Sequence, residues 1–323
     1  MNKSDLLPAN EDPRNPSYHF LNLVNEDVEN SELFNSYINN NVLKKVYTGT
    51  LWAEGPAYIK HLDTLVWSDI PNNRMMKLVN GAVSEFKNPS NFCNGNTIDN
   101  NENLISCSHG GRWLYKTDDN LNTEIIIDNF EGKKFNSPND LCVKSDGTIF
   151  FTDPPYGILS DYEGYTAAQE YGSCYVFAYH PEKKILSVVI DDLDRPNGIT
   201  LSPDEKKLYV ADTGENIKHL YSYDLFETQV SNKKMIYDFK PFFSDGFRCD
   251  YDGNIWTSAG KAIKCFNPKL ELIGQIKIPE LVSNCEFGGV DGNILYITAT
   301  TSLYSIKLTQ KGAKFEKRWT ITK

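Results

Sequence analysis

The sequence predicts an all-β fold: a six-bladed β-propeller with four-stranded antiparallel blades around a central channel. Three observations predict it: a hairpin signature that recurs six times, two further β-like runs after each hairpin, and a composition suited to short strands. Aromatics make up 12% of the 323 residues, and Asp-Gly, Asn-Gly and proline are frequent, as expected for strands joined by tight turns.

The hairpins come first. Asp146-Gly147 follows an apolar run and precedes T-I-F-F-T-D. The same arrangement reads F-R-C-D-Y-D-G-N-I-W-T-S at Asp252, E-F-G-G-V-D-G-N-I-L-Y-I-T at Asp291 and G-I-T-L-S-P-D-E-K-K-L-Y-V-A-D at Asp204, with weaker copies at Asn101 and Asp63. Each is a strand, an Asx-rich turn and a returning strand. Turn positions 63, 101, 146, 204, 252 and 291 lie 38, 45, 58, 48 and 39 residues apart, the period of four-stranded propeller blades. An array of sandwich domains is the alternative, but no linker separates the copies.

Third strands follow as R-M-M-K-L-V, R-W-L-Y-K-T, C-Y-V-F-A-Y, H-L-Y-S-Y-D, A-I-K-C-F and S-L-Y-S-I-K-L. The fourth strands read V-S-E-F, E-I-I-I-D, I-L-S-V-V-I, M-I-Y-D-F, L-I-G-Q-I and K-F-E-K-R-W. For the outer position of the last blade, V-L-K-K-V-Y (Val42 to Tyr47) competes with K-F-E-K-R-W, and the sequence leaves both open. Residues 1–41 read as an Asn-rich, partly irregular extension, and 42–323 as a single propeller. The longest unit owes its length to a polar insertion, Ile158 to Ser173, between the second and third strands of the third blade.

Net charge −10 and pI near 5.1 disfavour nucleic acid and anionic membranes as partners. No apolar run approaches the ~18 residues of a membrane span, and the first residues lack a signal-like apolar stretch. The expected location is the cytoplasm, unless a leader has been removed, and the expected assembly a monomer or homodimer. Seven cysteines without a C-x-x-C read as reduced core residues. No zinc-protease, Walker, dinucleotide-fold or serine-elbow motif is present.

The register of the hairpins carries the chemistry. Asn94, Asn139, Asn197, Asp245 and Asn284 each precede their turn by seven residues, and Glu54 precedes Asp63 by nine. In a propeller the first strand of each blade lines the channel, so these six positions form a ring at one mouth. Two carboxylates and four amides offer only oxygen on their accepting side, which suits a hard cation such as Ca2+. Any one of them alone reads equally well as a turn former, but turn chemistry does not require one register five times. The second strands end on the same face, at Asp69, His109, Asp153, Asp212 and Ser258, candidates for the pocket wall or for support of the ligands. His109, in S-C-S-H-G-G, is the titratable nitrogen there, a candidate to bind substrate or shuttle a proton, against the plainer role of a structural hydrogen bond. The insertion leaves from this face, where it would fold over the mouth as a lid.

E-G-P-A-Y, S-P-N-D-L-C-V-K-S-D-G-T-I-F-F-T-D-P-P-Y-G, R-P-N-G-I-T-L-S-P-D and S-D-G-F-R-C-D-Y-D-G-N-I-W resemble the SMP-30/gluconolactonase/luciferin-regenerating-enzyme family, its microbial gluconolactonase-like branch above all, over about residues 45 to 310. The resemblance implies one divalent cation per chain, Ca2+ or another such as Mg2+, Mn2+ or Zn2+, with Glu54, Asn139, Asn197 and Asp245 as its ligands. It implies hydrolysis of a small lactone, with Asn139 reaching the metal or its bound water and substrate. Asp245, a carboxylate beside the cation, is the candidate catalytic base, and Asn94 and His109, at the same mouth, are candidates to meet the substrate. S-H-G in the second blade and C-E-F-G-G beside Asn284 depart from the family pattern and bear on the pocket wall. Rival expectations are a calcium-dependent organophosphate hydrolase, a metal-free strictosidine-synthase-like propeller and a binding propeller without catalysis.

Overall fold

The structure, a computed structural model, describes residues 28–316. Six four-stranded antiparallel sheets follow one another around an axis. The chain opens with β1 (Lys44–Thr48) and then builds blade 1 from β2 (Ala53–Ile59), β3 (Thr64–Asp69), β4 (Arg74–Val79) and β5 (Ala82–Lys87). Blade 2 is β6 (Cys93–Ile98), β7 (Leu104–Ser108), β8 (Trp113–Thr117) and β9 (Thr123–Ile127). After a small hairpin of β10 (Asn129–Phe130) and β11 (Lys133–Lys134), blade 3 is β12 (Leu141–Val143), β13 (Ile149–Asp153), β14 (Tyr175–His180) and β15 (Ile185–Ile190). Blade 4 is β16 (Pro196–Leu201), β17 (Lys207–Asp212), β18 (His219–Phe226) and β19 (Gln229–Asp238). Blade 5 is β20 (Phe247–Cys249), β21 (Ile255–Ser258), β22 (Ala262–Phe266) and β23 (Leu272–Lys277).

Blade 6 settles the open question of closure. Its first three strands are β24 (Val282–Gly288), β25 (Ile294–Ala299) and β26 (Ser302–Lys307), and β1 pairs antiparallel with β26 on the outside. The start of the propeller is thus tied to its end, which removes the one seam where the ring could open. K-F-E does not form the expected fourth strand: Ala313–Glu316 is a short helix, and Lys317 onward lies outside the described residues.

The core is six seams, because each blade buries both faces against its neighbours. Between blades 3 and 4, Phe150, Val176 and Ala178 meet Ile199, Leu208 and Val210. Between blades 2 and 3, Phe135, Phe151 and Phe177 pack ring against ring at 5.2–5.3 Å. This explains why the inner strands read as nearly continuous apolar runs. All seven cysteines are buried and unpaired.

One element was missed in the Asn-rich extension. Glu32–Ile38 is an α-helix whose N-cap, Ser31, accepts the Phe34 N–H at 3.1 Å. Asn30 receives the Gln275 N–H at 2.8 Å, so the chain joins the outer edge of blade 5 before the helix begins. Phe34 then fills a slot over Trp256, ring centroids 5.7 Å apart, where Gly274 leaves room that a Cβ would take. Residues 1–27 of the expected extension lie outside the described residues.

Phe34 is fully buried in the seam of blades 5 and 6. Phe34→Ala is expected to cost about 3 kcal/mol, read as a lowered urea midpoint with an unchanged slope. A loss below about 0.5 kcal/mol would show that the helix rests on the propeller without stabilising it.

Candidate active site

Four of the six ring positions sit on register irregularities of their blades. The β2–β3 ladder slips between Glu54 and Ala57, β6–β7 between Cys93 and Asn96, β16–β17 between Pro196 and Ile199, and β24–β25 between Val282 and Asn284. Such bulges re-aim a side chain. In blades 3 and 5 Asn139 and Asp245 lie two residues before the regular strand, yet the Asn139 N–H already donates to the Thr152 carbonyl at 2.9 Å and the Ser258 N–H to the Gly246 carbonyl at 3.2 Å. All six ring side chains are buried, none more than 8% exposed.

Contacts join the ring. Asn284 Nδ2 donates to Glu54 Oε2 at 3.0 Å, and Asn197 hydrogen-bonds the Asp245 carboxylate. Asn94 Nδ2 lies 3.0 Å from His109 Nε2. Burial first, then the Asp140 carboxylate, push the Glu54 pKa up to about 7. Burial pushes Asp245 up too, followed by Glu54, Glu163 and Asp140. Several carboxylates thus share a poorly solvated space, each disfavouring ionisation of the others.

The acids at the second-strand ends hold the backbone that leads into the ring. Asp69 accepts the Leu51 N–H at 2.9 Å. Asp153 accepts Asn136 and Ser137, both at 2.8 Å, and Asp212 accepts Asp194 and Arg195 at 3.0 and 2.9 Å. Each clamp grips the chain two or three residues before Glu54, Asn139 or Asn197. In blade 5 Ser258 Oγ accepts the Asp245 N–H itself at 2.7 Å. Their roles are therefore supporting, with carbonyl oxygens of the ring residues satisfied by hydroxyls of the preceding blade: Ser68 to Asn94 at 2.6 Å and Thr152 to Asn197 at 2.7 Å.

Three charged residues were not anticipated. Arg248, buried deeper in the channel, donates from Nε to Glu286 at 2.9 Å and lies 3.3 Å from Asp140 through Nη1. Their signal was available: N-D-L, F-R-C and C-E-F each put a charge at an inward position of an apolar first strand. Glu286 belongs to this ion cluster, so the unusual C-E-F-G-G alters the channel interior and not the pocket wall. A cavity of about 270 Å³ opens at the opposite mouth, among Tyr58, Phe287, Lys314 and the turn residues Asp99 and Ser202. It lies beyond Arg248, away from the ring.

The fourth surprise is Glu163, in the insertion. That segment is polar in sequence, yet Ile158, Ser160 and Tyr162 are buried while Leu159 and Tyr165 are exposed. They are buried against the mouth, not in a seam. The Glu163 carbonyl oxygen lies 3.1 Å from His109 Nδ1, and Tyr165 meets Phe92 edge-on at 5.2 Å. His109 has both ring nitrogens engaged and is 1% exposed.

Among the described residues, no three His, Cys, Asp or Glu side chains come together as a ready ligand set. A cation at the ring would draw on amide oxygens as well as the two carboxylates. No helix among the described residues is long and apolar enough to cross a membrane.

Comparison with known proteins supplies an independent line. Residues 52–301 match the family described as SMP-30/Gluconolactonase/LRE-like region. A gluconolactonase of Zymomonas mobilis subsp. mobilis is 32% identical over 282 residues, 79% of this chain and 78% of that protein. A solved gluconolactonase of Xanthomonas campestris superposes with a TM-score of 0.83 at 32% identity, covering 86% of this chain and 93% of that one. Regucalcin of Oryctolagus cuniculus is 30% identical over 134 residues, 39% of this chain and 44% of that protein.

Burial holds His109 neutral, its pKa moved from the usual 6.5 down to about 4. Between those values the unfolded chain binds a proton there and the folded one does not, so stability falls as pH falls through that window. His109→Gln removes the titration. Its stability relative to the parent should rise by up to about 3 kcal/mol between pH 7 and pH 4, measured as the difference of two urea-unfolding curves. Parallel pH dependences would show that the fold does not lower the affinity of His109 for a proton.

Proposed function

The chain belongs to the SMP-30/gluconolactonase/LRE-like family, and on that premise we propose that it opens a sugar lactone with water at one divalent cation held by Glu54, Asn139, Asn197 and Asp245. It is a lactone hydrolase; the cation, its ligands and the division of labour are the proposal. The observation that carries them is that two carboxylates, Glu54 and Asp245, are buried in one ring, where burial raises both pKa values, Asp140 raises Glu54 further, and Glu54 raises Asp245 further. Both ionise together readily only when positive charge joins them. Arg248 does not fill that role, since Asp140 and Glu286 hold its guanidinium. Carboxylates and amides offer the oxygen donors that a hard ion such as Ca2+ takes.

Bound there, the cation would polarise the lactone carbonyl and favour the negative charge that develops on its oxygen. Asp245 is the group proposed to take the proton of the attacking water. Water oxygen adds to the carbonyl carbon, the ring C–O bond breaks, and the proton returns to the departing ring oxygen, giving the open hydroxy acid. Asn197 steadies the Asp245 carboxylate through its hydrogen bond. Asn139 and Asn94 present amides to the substrate, and His109 acts on Asn94.

Glu54→Gln keeps the size of the side chain and removes one charge. Its expected phenotype is weakened metal retention at chelator levels that leave the parent loaded, with far-UV CD unchanged. Metal retention and lactone turnover both equal to the parent would remove Glu54 from the ligand set. A panel pairing gluconolactone with a phosphotriester tests the substrate class, and turnover of the ester of phosphate alone would overturn it.

Asp245→Asn keeps an oxygen for the cation but cannot accept a proton. General-base assistance contributes about 10²–10⁴ in rate. At saturating Ca2+ the variant should lose kcat by about that range, with a smaller change in KM. Recovery of the parent kcat on adding Ca2+ would reduce Asp245 to a ligand.

A further inference from the structure

The segment from Ile158 to Ser173 touches the ring side of the propeller through a histidine. His109 Nδ1 lies 3.1 Å from the Glu163 carbonyl oxygen, and its Nε2 lies 3.0 Å from Asn94 Nδ2. Gly157, immediately before the segment, lies flat against the imidazole, and a Cβ there would stand 2.5 Å from His109 Cβ and Cγ. His109, Asn94 and Gly157 are buried, and Glu163 is half-buried. They are fixed relative to one another.

Hydrogen-bond chemistry then decides the proton. A carbonyl oxygen can only accept, so Nδ1 carries the hydrogen and donates it to Glu163. A neutral imidazole protonated at Nδ1 has a lone pair at Nε2, which can only accept. Asn94 must therefore turn its NH2 toward His109, and its carbonyl oxygen goes to the far side of the amide. Remove the Glu163 carbonyl and the constraint vanishes: the other tautomer becomes available, and Asn94 can present either end.

We propose that His109 is a positioning residue that couples seating of the Ile158–Ser173 segment to the orientation of Asn94, so that the closed site offers a carbonyl oxygen to a hydroxyl of the substrate. The segment is thus more than a cover. Its closure sets the polarity of one ring position through two hydrogen bonds. The site closed in this way favours a polyhydroxylated lactone, which has a donor for that oxygen, over a lactone carrying only acceptors beside its ester. The kinetic part of this inference rests on the lactone-hydrolase reading; the coupling itself does not.

The test uses the full chain, loaded with Ca2+, and three variants. In His109→Gln one amide can accept from Asn94 and donate to Glu163, so both bonds survive. His109→Leu keeps bulk and loses both, and Gly157→Ala pushes the segment off the ring from its other side. Amide hydrogen exchange over 158–173 should be parent-like in His109→Gln and faster in His109→Leu and Gly157→Ala. Nitrogen chemical shifts of the parent imidazole should report the Nδ1–H tautomer. With gluconolactone, KM should rise about tenfold in His109→Leu, the worth of one hydrogen bond, with kcat within about threefold. His109→Gln should restore KM, and a lactone without ring hydroxyls should show no such difference. A His109→Gln variant as impaired as His109→Leu, an Nε2–H tautomer, or unaltered exchange in both disruptive variants would overturn the coupling. Should His109→Leu fail to fold, Gly157→Ala and the imidazole shifts decide alone. A parent that turns over no lactone would overturn the functional reading and not the coupling, which exchange and tautomer still measure.

Discussion

Backbones crowd where six strands converge on one axis, and that crowding organises the site. Glycine follows the ring residue in four blades, at Gly55, Gly95, Gly198 and Gly246. A Cβ on each would run into the next ring residue: the carbonyl oxygens of Asn94, Asn139 and Asp245 for the first three, and the side-chain amide of Asn284 for Gly246. Gly95 N–H also donates to the Asn139 carbonyl at 2.8 Å, and Gly246 to Ser283 at 2.7 Å, so neighbouring blades are bonded at the ring itself. Gly55 has φ +51, a conformation other residues rarely take. The glycines and the polar ring are one construction: the missing side chain of one blade makes room for the functional group of the next.

Charge in the channel is layered by the same geometry. The ring at one mouth holds Glu54 and Asp245, and the level below it holds Arg248 between Asp140 and Glu286. Burial of a lone arginine would be costly, and two carboxylates with charge-assisted hydrogen bonds offset that cost. The cluster leaves excess negative charge toward the ring, since Asp140 remains close enough to raise the pKa of both Glu54 and Asp245. A site of this sign attracts cations and repels a substrate carrying negative charge unless a cation is present.

Most of the fold was legible in the sequence, because each blade writes the same short text. The seven-residue interval between ring residue and turn is set by strand length, so it recurs in five blades, and only blade 1, with nine, departs from it. The ring positions followed from it. Less legible were features that depend on three-dimensional neighbours. The helix Glu32–Ile38 had a local signal, Ser31 before Glu32 and apolar residues at Phe34, Tyr37 and Ile38, hidden among asparagines. The outer strand of the last blade was undecidable locally, since both candidates have strand-like patterns and only pairing with Ser302–Lys307 distinguishes them. Asp69, Asp153 and Asp212 were visible as a set, yet their task as clamps on backbone N–H groups belongs to a loop 16 to 18 residues upstream. Glu163 had no signal at all: a glutamate in a polar insertion is unremarkable until the segment folds back.

That division has a consequence for how such a protein changes its substrate. Ring residues are held from two sides, by glycine packing between blades and by clamps within them, so substitution there disturbs several backbones at once. The two halves of the insertion are held differently: the first meets the ring side where the Glu163 carbonyl faces His109, while the second is tied to blades 2 and 3 by the Glu170–Arg112 ion pair at 3.2 Å, the Lys134 N–H to Glu170 at 2.8 Å and Asn136 Nδ2 to the Ser173 carbonyl at 2.8 Å. The first half packs on the mouth and is free of the propeller's own register, whereas Tyr171 in the second half packs against the seam of blades 2 and 3. On the proposed reading, chemistry falls to the rigid strands and selectivity to the attached loop. His109 stands at the junction, a residue of the strand end that reads the position of the loop and passes it to Asn94 in the ring.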